Sequence, residues 1–418
     1  MKGYRMHYGW VILVVGILVV AGSLGFGRFS YGMILPSMQS ALGLTYDETG
    51  IIASANMFGY FLAAMVAGML ASRYGPRIVI SVALFWTALT MAVTALAGGV
   101  TSLILFRFLT GIGSAGGNIS IMGLSSSWFS PNRRGMANGF LVGGSGLAIA
   151  ITGWLVPLVN RMYPEYGWRY SWLILGGLVL AVGVLSVFFI RNHPGEKGLT
   201  LMGGGTTQAG QNSAWQGNRN LSIKGILYLR GVRVLALAYF CFGMSYIIYT
   251  MFFVNYLMGE KGLAQSVAGN IWSMVGFLSI GSAVIWGSLS DVVGRRLALF
   301  IVFTLQTISY LLPVTTSASI FVWLSAVIFG LTAWSIPGIV ASYCGDLVGP
   351  KAAPAALGLV TFFFGLGQIL GPTSAGYIKQ LSHSFIGAFY LAAILACLGG
   401  VISVLPQRIV RDNPSANL

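Results

Sequence analysis

The sequence predicts an all-α membrane protein in which twelve transmembrane helices form two pseudo-symmetric six-helix bundles. Its composition excludes a soluble protein, because 56% of the 418 residues are hydrophobic and only 7% are charged, whereas soluble proteins carry roughly 25% charged residues. Apolar runs of about 20 residues, the length of a membrane-spanning helix, recur along the whole chain. The two halves of the chain also correspond to each other at one constant spacing.

The apolar runs define the twelve spans, and one longer hydrophilic stretch separates the sixth from the seventh. We predict the spans at residues 9–36, 47–71, 77–98, 101–126, 135–160, 168–190, 233–257, 266–289, 297–315, 319–343, 354–378 and 386–406. The hydrophilic stretch contains Gly, Gln and Ser, a composition typical of a flexible linker. The predicted domains are an N-terminal bundle over 1–191, a cytoplasmic linker over 192–230 and a C-terminal bundle over 231–418.

An offset of 219 residues superimposes the two halves of the chain. The corresponding pairs are Gly68 and Gly287, Ser72 and Asp291, Gly75 and Gly294, Arg77 and Arg296, Gly111 and Gly330, Pro131 and Pro350, Gly139 and Gly358, and Gly146 and Gly365. Eight correspondences at one offset, proline and arginine among them, indicate an internal repeat. In membrane folds built from such repeats, substrates bind near the bilayer midplane between the halves.

The net charge of +15 indicates membrane topology, and no nucleic-acid partner is expected. The basic residues fall mainly into alternate loops: Lys2, Arg5, Arg73, Arg77, Arg133, Arg134, the stretch from Arg191 to Arg233, Arg295, Arg296, Lys351, Arg408 and Arg411. This asymmetry follows the positive-inside rule. We therefore expect a multi-pass protein of the inner (cytoplasmic) membrane with both termini in the cytoplasm. The lipid bilayer, with its anionic headgroups, is its expected partner.

Metal, cofactor and enzyme chemistry are not indicated. Cys241, Cys344 and Cys397 lie in separate apolar runs and lack the spacing of metal ligands. No nucleotide-binding glycine loop or His/Cys cluster occurs in the sequence. We therefore expect neither a cofactor nor an enzymatic activity.

Arg28 is the unusual residue of the first span. The chain from Tyr8 to Met38 is otherwise almost entirely apolar, and none of the first 46 residues is acidic. A charge inside such a helix indicates a functional site by default, although snorkelling of Arg28 towards the outer surface is an alternative. None of the eight acidic residues falls in the middle of a predicted span. This pattern argues against a cationic substrate and against a proton carrier within the membrane, and it favours an anion held by arginine.

Two loop motifs resemble those of the major facilitator superfamily of secondary transporters. The stretches from Gly68 to Arg77 and from Gly287 to Arg296 resemble its G-x-x-x-D-[RK]-x-G-[RK] loop, and the stretch from Arg107 to Gly113 resembles its fourth-helix R-x-x-x-G-x-G. Tyr8-Gly9-Trp10 resembles the monocarboxylate and oxalate/formate branch. Gly27-Arg28-Phe29-x-Tyr31 with Leu35-Pro36 resembles bacterial carriers of the superfamily with no assigned substrate.

The resemblance implies alternating access and a central cavity lined by helices 1, 4, 7 and 10. The candidate substrate-binding residues are Arg28, Tyr31, Arg107, Asn118, Tyr246, Tyr249, Trp334 and Gln368. Two arginines at similar depth could hold a carboxylate, whose geometry matches a guanidinium. For Arg107, a structural or coupling role is the alternative. For the tyrosines of helix 7, simple packing is the alternative.

The loop motifs imply a gate on the cytoplasmic side, where the acid of the motif holds the two bundles together. Its candidate residues are Arg73, Arg77, Asp291, Arg295 and Arg296. In the first half Ser72 occupies the position of the acid and cannot supply its charge. We therefore expect the gate to be asymmetric.

The hypothesis is a monomeric carrier of a small organic anion, such as a monocarboxylate, that works by proton (H+) symport or by exchange. Monocarboxylate transporters resemble this chain but bind the carboxylate through an arginine in helix 8, where residues 271–290 have none. Arg28 and Arg107 then replace it, or the substrate differs. An exporter of neutral or hydrophobic compounds is the alternative, and a membrane sensor that does not transport is a third.

Overall fold

The computed structural model describes residues 7–203, 228–315 and 318–405, and this part of the chain is almost entirely helical. An isolated bridge between Phe129 and Met202 is its one β-type pairing. Residues 1–6, 204–227 and 406–418 lie outside the described residues, and with them most of the predicted linker and both termini. The all-α prediction is confirmed.

The twelve predicted spans all coincide with helices. Those of the first half are α1 (Gly9–Leu42), α2 (Tyr46–Tyr74), α3 (Pro76–Thr94), α4 (Val100–Trp128), α5 (Pro131–Met162) and α6 (Gly167–Phe189). Those of the second half are α7 (Arg230–Gly259), α8 (Gln265–Ser279 and Ser282–Val293), α9 (Arg295–Thr315), α10 (Ser319–Gly349), α11 (Ala355–Ser382) and α12 (Ile386–Val404). In the described chain ten of them are individually long and apolar enough to span a membrane, and the bent helices α2 and α8 complete the twelve.

The turns between helices repeat from one half to the other. Gly75, between α2 and α3, has φ 87° and ψ 140°, and its counterpart Gly294, between α8 and α9, has φ 89° and ψ 145°. Residues with a Cβ rarely adopt this backbone conformation, which explains why glycine occupies this position in both loop motifs. The same local geometry at equivalent positions supports the internal repeat.

Helix α1 changes its winding in the middle. It is α-helical over Gly9–Val20, π-helical over Ala21–Phe29 and α-helical again over Ser30–Leu42. A Cβ on Gly27 would lie 2.8 Å from the Ser114 hydroxyl of α4, so α4 packs against α1 where the π-helix carries Arg28. Such π-helical segments are frequent at functional sites.

The two halves touch closely at one end of the molecule. We call the end that carries Arg77 and Arg295 the basic end, and the opposite end the far end. At the far end a Cβ on Gly32 of α1 would lie 2.6 Å from the Thr250 carbonyl of α7. The Asn255 amide of α7 also donates to Gln39 of α1 at 2.9 Å.

Helices α2 and α11 are in contact towards the far end and separate towards the basic end. The Ser54 hydroxyl donates to the Ile369 carbonyl at 2.6 Å, and the rings of Phe61 and Phe362 are 5.2 Å apart. A Cβ added to Gly68, nearer the basic end, would meet no atom within 4 Å. Within the described residues the two helices are therefore in close contact at the far end, and the space around Gly68 nearer the basic end is open.

Residues 192–203, at the start of the predicted linker, lie against the N-terminal helices. The Met202 N–H donates to the Trp128 carbonyl at 2.9 Å, and the Ser130 N–H donates to the Met202 carbonyl at 3.1 Å. The boundaries at residues 191 and 231 remain predictions.

Candidate functional site

Arg28 lies between the two halves and is 3% exposed. Its Nε and Nη2 atoms are shielded from solvent and have no hydrogen-bond partner among the described residues. Its guanidinium carbon lies 4.2 Å from the ring centre of Tyr60 on α2. The salt bridges within residues 7–203, 228–315 and 318–405 involve Arg295 and Lys379, so Arg28 has no carboxylate partner there.

This position argues against snorkelling. A snorkelling arginine holds its charged end in water, whereas the guanidinium of Arg28 is buried. Buried polar groups in proteins are nearly always hydrogen-bonded, and an unpaired charge is costly. Arg28 therefore has an unmet capacity to bind an anion.

The N-terminal side of the site is completed by Tyr60 and Asn118. The Asn118 amide nitrogen of α4 donates to the Tyr60 hydroxyl at 2.9 Å. The amide oxygen of Asn118 is buried without a partner. A Cβ on Gly111 would lie 2.8 Å from the Tyr60 backbone nitrogen, so α4 and α2 touch beside this tyrosine.

Tyr60 is the residue that the sequence interpretation missed. The resemblance assigns the cavity to helices 1, 4, 7 and 10, and Tyr60 belongs to α2. The available signal was the glycine of the fourth-helix motif, because Gly111 permits the close approach of α2 at Asn56 and Tyr60.

Arg107 lies beside Arg28 but on the other side of the α1 backbone. It is fully buried, and it donates to the Gly27 carbonyl at 2.8 Å and to the Arg28 carbonyl at 3.4 Å. Its guanidinium lies 5.1 Å from the ring centre of Tyr31 and 5.0 Å from that of Trp172. Two of its nitrogens thus bind the backbone of the π-helix, which favours the structural alternative over direct contact with a ligand.

The C-terminal side of the site is neutral and aromatic. The Tyr246 hydroxyl of α7 lies near Arg28 and accepts a hydrogen bond from the Gln368 amide of α11. Its ring stacks on Phe242 at 4.7 Å and lies edge-on to Trp334 at 6.3 Å. These contacts bring Tyr246, Trp334 and Gln368 together opposite Arg28.

Trp334 lies where α10 is interrupted, between the helical segments that end at Thr332 and begin at Ser335. Its ring centre is 5.1 Å from that of Phe29, the neighbour of Arg28 in the chain. The side chain is 7% exposed, and its indole N–H has no hydrogen-bond partner.

Two predicted binding residues lie elsewhere. The Tyr31 hydroxyl donates to the Thr49 carbonyl at 2.8 Å, and its ring packs on Arg107 inside the N-terminal half. The Tyr249 hydroxyl is paired with the Ser325 hydroxyl at 2.8 Å, and its ring centre lies 4.3 Å from that of Phe329 inside the C-terminal half. In this conformation the structure does not bring either residue together with the group around Arg28.

Two of the predicted gate residues of the second half, Asp291 and Arg295, interact with each other. Arg295 forms ion pairs with Asp291 and, at 3.2 Å, with Asp346 of α10. The Arg296 side chain donates to the Tyr343 hydroxyl at 2.7 Å. These partners all belong to the C-terminal half, and a gating role for Asp291, Arg295 and Arg296 remains a prediction.

The predicted gate residues of the first half make different contacts. Arg77 donates to the Val187 carbonyl at the end of α6, at 2.7 Å. Arg73 is exposed and lies 5.3 Å from the ring centre of Tyr74. The Ser72 hydroxyl donates to the Gly68 carbonyl of its own helix at 2.8 Å. The first half therefore has no acid–arginine pair equivalent to Asp291 and Arg295 within its described residues.

No group of three His, Cys, Asp or Glu side chains in the described chain could hold a metal ion.

Comparison with known proteins agrees with this architecture. Residues 19–404 match the family described as "Uncharacterised MFS-type transporter YbfB". The chain is 27% identical to a putative tartrate transporter of Agrobacterium vitis, covering 93% of this chain and 87% of the relative, and 26% identical to the hexuronate transporter of Bacillus subtilis (strain 168), covering 96% of each. The fold matches the crystal structure of a bacterial homolog of the human lysosomal transporter Spinster, in its inward-facing and occupied conformation, with a TM-score of 0.74. The sequence identity is 14%, and the match covers 96% of this chain and 98% of the homolog. The resemblance seen in the loop motifs is thus confirmed, and the chain belongs to the major facilitator superfamily of membrane transporters.

Proposed function

We propose that this transporter moves a small organic anion, a monocarboxylate, by alternating access between its two halves. The observation that carries the proposal is Arg28, a buried cation between the halves with two unpaired nitrogens and no carboxylate partner in the described chain. A substrate carboxylate would supply both the missing charge and the missing hydrogen-bond acceptors. The names of the relatives above specify tartrate, a dicarboxylate, and hexuronate, a monocarboxylate, so both point to organic anions.

The distribution of acids supports an anionic substrate. The described carboxylates lie at helix ends or in loops: Asp47, Glu48, Glu165, Glu196, Glu260, Asp291 and Asp346. None of them is placed to neutralise Arg28 or to hold a cationic substrate at the depth of Arg28. A proton for symport would then travel with the substrate or bind near Asp47 and Glu48, and exchange of anions is the alternative.

The geometry around Arg28 supports one carboxylate rather than two. The nearby cation, Arg107, uses two nitrogens on the backbone carbonyls of α1. The opposite side is formed by Tyr246, Trp334 and Gln368, none of which carries a charge. A second carboxylate on the substrate would therefore be buried without a partner, which is unfavourable.

The closed far end supports alternating access. By the positive-inside rule we infer that the basic end faces the cytoplasm, that the described conformation is inward-facing, and that the protein lies in the inner membrane with cytoplasmic termini. Transport then requires the far-end contacts to break, among them those of Gly32 with Thr250 and of Gln39 with Asn255.

Uptake into proteoliposomes tests the proposal. We expect saturable uptake of labelled monocarboxylates by the wild-type protein, and a loss of affinity of at least roughly 30-fold for Arg28→Gln, because a buried charge pair loses one partner. Arg161→Gln removes an exposed arginine at the end of α5 and serves as the matched control.

Anion uptake that is unchanged in Arg28→Gln would refute the proposal. Efflux of neutral hydrophobic compounds that does not depend on Arg28 would instead support an exporter, for which the aromatic side of the site would suffice.

A further inference from the structure

We infer that the indole N–H of Trp334 donates a hydrogen bond to a hydroxyl group of the substrate, so that the site selects hydroxylated monocarboxylates over their unsubstituted analogues. The inference rests on the proposed function, because it assumes that the substrate carboxylate binds at Arg28. It assigns Trp334 as a residue that determines specificity.

The first observation is the unpaired donor itself. Trp334 is 7% exposed and its Nε1 atom is shielded from solvent without a partner. Buried indole N–H groups usually find an acceptor. The described residues around Trp334 supply none, so a bound molecule is the natural source of an acceptor.

The second observation is the position of Trp334 relative to Arg28. Its ring contacts Phe29, which follows Arg28 in α1, and Tyr246, whose hydroxyl lies beside Arg28. The Tyr246 side chain thus links the indole to the guanidinium, and the contact with Phe29 places Trp334 against the π-helical segment that carries Arg28. A molecule of a few carbon atoms held by Arg28 would reach the indole with the part next to its carboxylate.

Two other tryptophans show why this position matters. Trp172 and Trp272 also have a buried, unpaired indole N–H. Trp172 packs on Arg107, and neither of the two is in ring contact with Phe29 or Tyr246 within the described chain. Of the three, Trp334 is the one placed beside the proposed carboxylate site.

The third observation is a complementary acceptor on the opposite side. The Asn118 amide oxygen is buried without a partner, while its nitrogen is fixed by the Tyr60 hydroxyl below Arg28. A hydroxyl group both donates and accepts, so hydroxyls on the substrate match an N–H on one side and a C=O on the other. An unsubstituted acid would leave both protein groups unpaired.

Competition binding with matched acids tests the inference on the full-length protein. Lactate and propionate differ by one hydroxyl, and we expect the wild-type protein to bind lactate roughly five- to tenfold more tightly, the effect of one hydrogen bond. Trp334→Phe keeps a ring and removes the N–H, and we expect it to bring the ratio close to one. Trp272→Phe, which removes another unpaired indole N–H in α8, should keep the wild-type ratio.

A wild-type protein that binds both acids equally, or a Trp334→Phe protein that keeps the wild-type ratio, would overturn the inference. The wild-type ratio tests it by itself should Trp334→Phe not fold. The outcome is separable from the fate of the proposed function: if neither acid binds, or if binding does not depend on Arg28, the proposed function fails. If binding depends on Arg28 but shows no preference for the hydroxyl, only the role of Trp334 fails.

Discussion

Replacing Gly153 with alanine should open the far end of the molecule. Helices α5 and α8 belong to different halves, and a Cβ on Gly153 would lie 2.5 Å from the Gly269 carbonyl oxygen and 2.7 Å from the Ser273 backbone nitrogen. Carbon atoms in good contact are about 3.5–4.0 Å apart, and backbone atoms cannot rotate away. The helices must therefore separate by about 1 Å, estimated from that contact distance.

The substitution acts on one conformation. Overpacking of this kind costs about 1–3 kcal/mol, and the cost falls on the conformation in which α5 and α8 are in contact. A conformation with the far end open escapes it. The ratio of far-open to far-closed molecules should therefore rise by roughly 5- to 150-fold.

Labelling of a cysteine at Ser54 measures this shift. Ser54 is 7% exposed and bonds across the two halves to Ile369 and Thr373, so a cysteine there becomes accessible when the far end opens. In a background without the three native cysteines, Gly153→Ala should accelerate labelling by a membrane-impermeant maleimide. Gly177→Ala adds the same methyl group on α6, where no atom lies within 4 Å, and should leave the rate unchanged. Wild-type labelling and transport in Gly153→Ala would show that this contact does not hold the far end closed.

Three further substitutions test other contacts. Lys379 and Glu260 form a salt bridge at 2.8 Å, and their side chains are 7% and 18% exposed. Lys379→Met leaves the Glu260 charge uncompensated, so the free energy of unfolding should fall by about 3–5 kcal/mol. Thermal unfolding measures this loss, and an unchanged melting temperature would contradict it. Arg107→Lys keeps the charge but cannot bind two carbonyls as a guanidinium does. The affinity for monocarboxylate should therefore fall by roughly tenfold, the effect of about 1.4 kcal/mol. An unchanged affinity would mean that Arg107 does not position the π-helix of α1. Asp291→Asn alters a carboxylate that is 63% exposed, so stability should change by less than about 1 kcal/mol, while the maximal transport rate should fall if Asp291 closes the basic end in the other conformation.

The helices were predictable because hydrophobic length alone specifies them. A run of about 20 apolar residues can satisfy its backbone in a membrane only as a helix or a closed barrel strand. The glycines of the loop motifs were also informative, since Gly75 and Gly294 adopt a backbone conformation that other residues avoid.

The irregular parts of the helices were not predictable from hydrophobicity. The π-helix of α1 spans Ala21–Phe29 and contains no proline that would indicate an irregular helix. Two of its carbonyls accept hydrogen bonds from Arg107, a residue some 80 positions away. The interruption of α10 at Trp334 likewise involves a distant partner, because the backbone N–H of Trp334 donates to the Ser282 hydroxyl at 3.2 Å. Such features depend on tertiary contacts that a local pattern does not contain.

The charged and polar residues of the candidate site were predictable, because such residues are rare in apolar helices. Its aromatic residues were not, because aromatic residues are common in these helices. Arg28 and Asn118 stand out in apolar helices, and the structure places both beside Tyr60. Tyr246 and Tyr249 are three residues apart on one helical stripe, yet one faces Arg28 and the other packs inside the C-terminal half. Periodicity could not separate them, because both faces of α7 are buried in this fold.

The unpaired charge of Arg28 leads to a prediction about coupling. In the described chain the neighbours that compensate the buried guanidinium of an empty carrier are the ring of Tyr60 and the hydroxyl of Tyr246. A carrier loaded with a carboxylate instead changes conformation with a neutral pair. An isolated buried charge costs several kcal/mol more than a paired one, and each 1.4 kcal/mol in a barrier changes a rate by about tenfold. We therefore expect exchange of labelled for unlabelled monocarboxylate across proteoliposomes to be at least roughly tenfold faster than net uptake into empty vesicles. Equal rates would mean that the empty carrier crosses as readily as the loaded one, and that the charge of Arg28 does not limit its return.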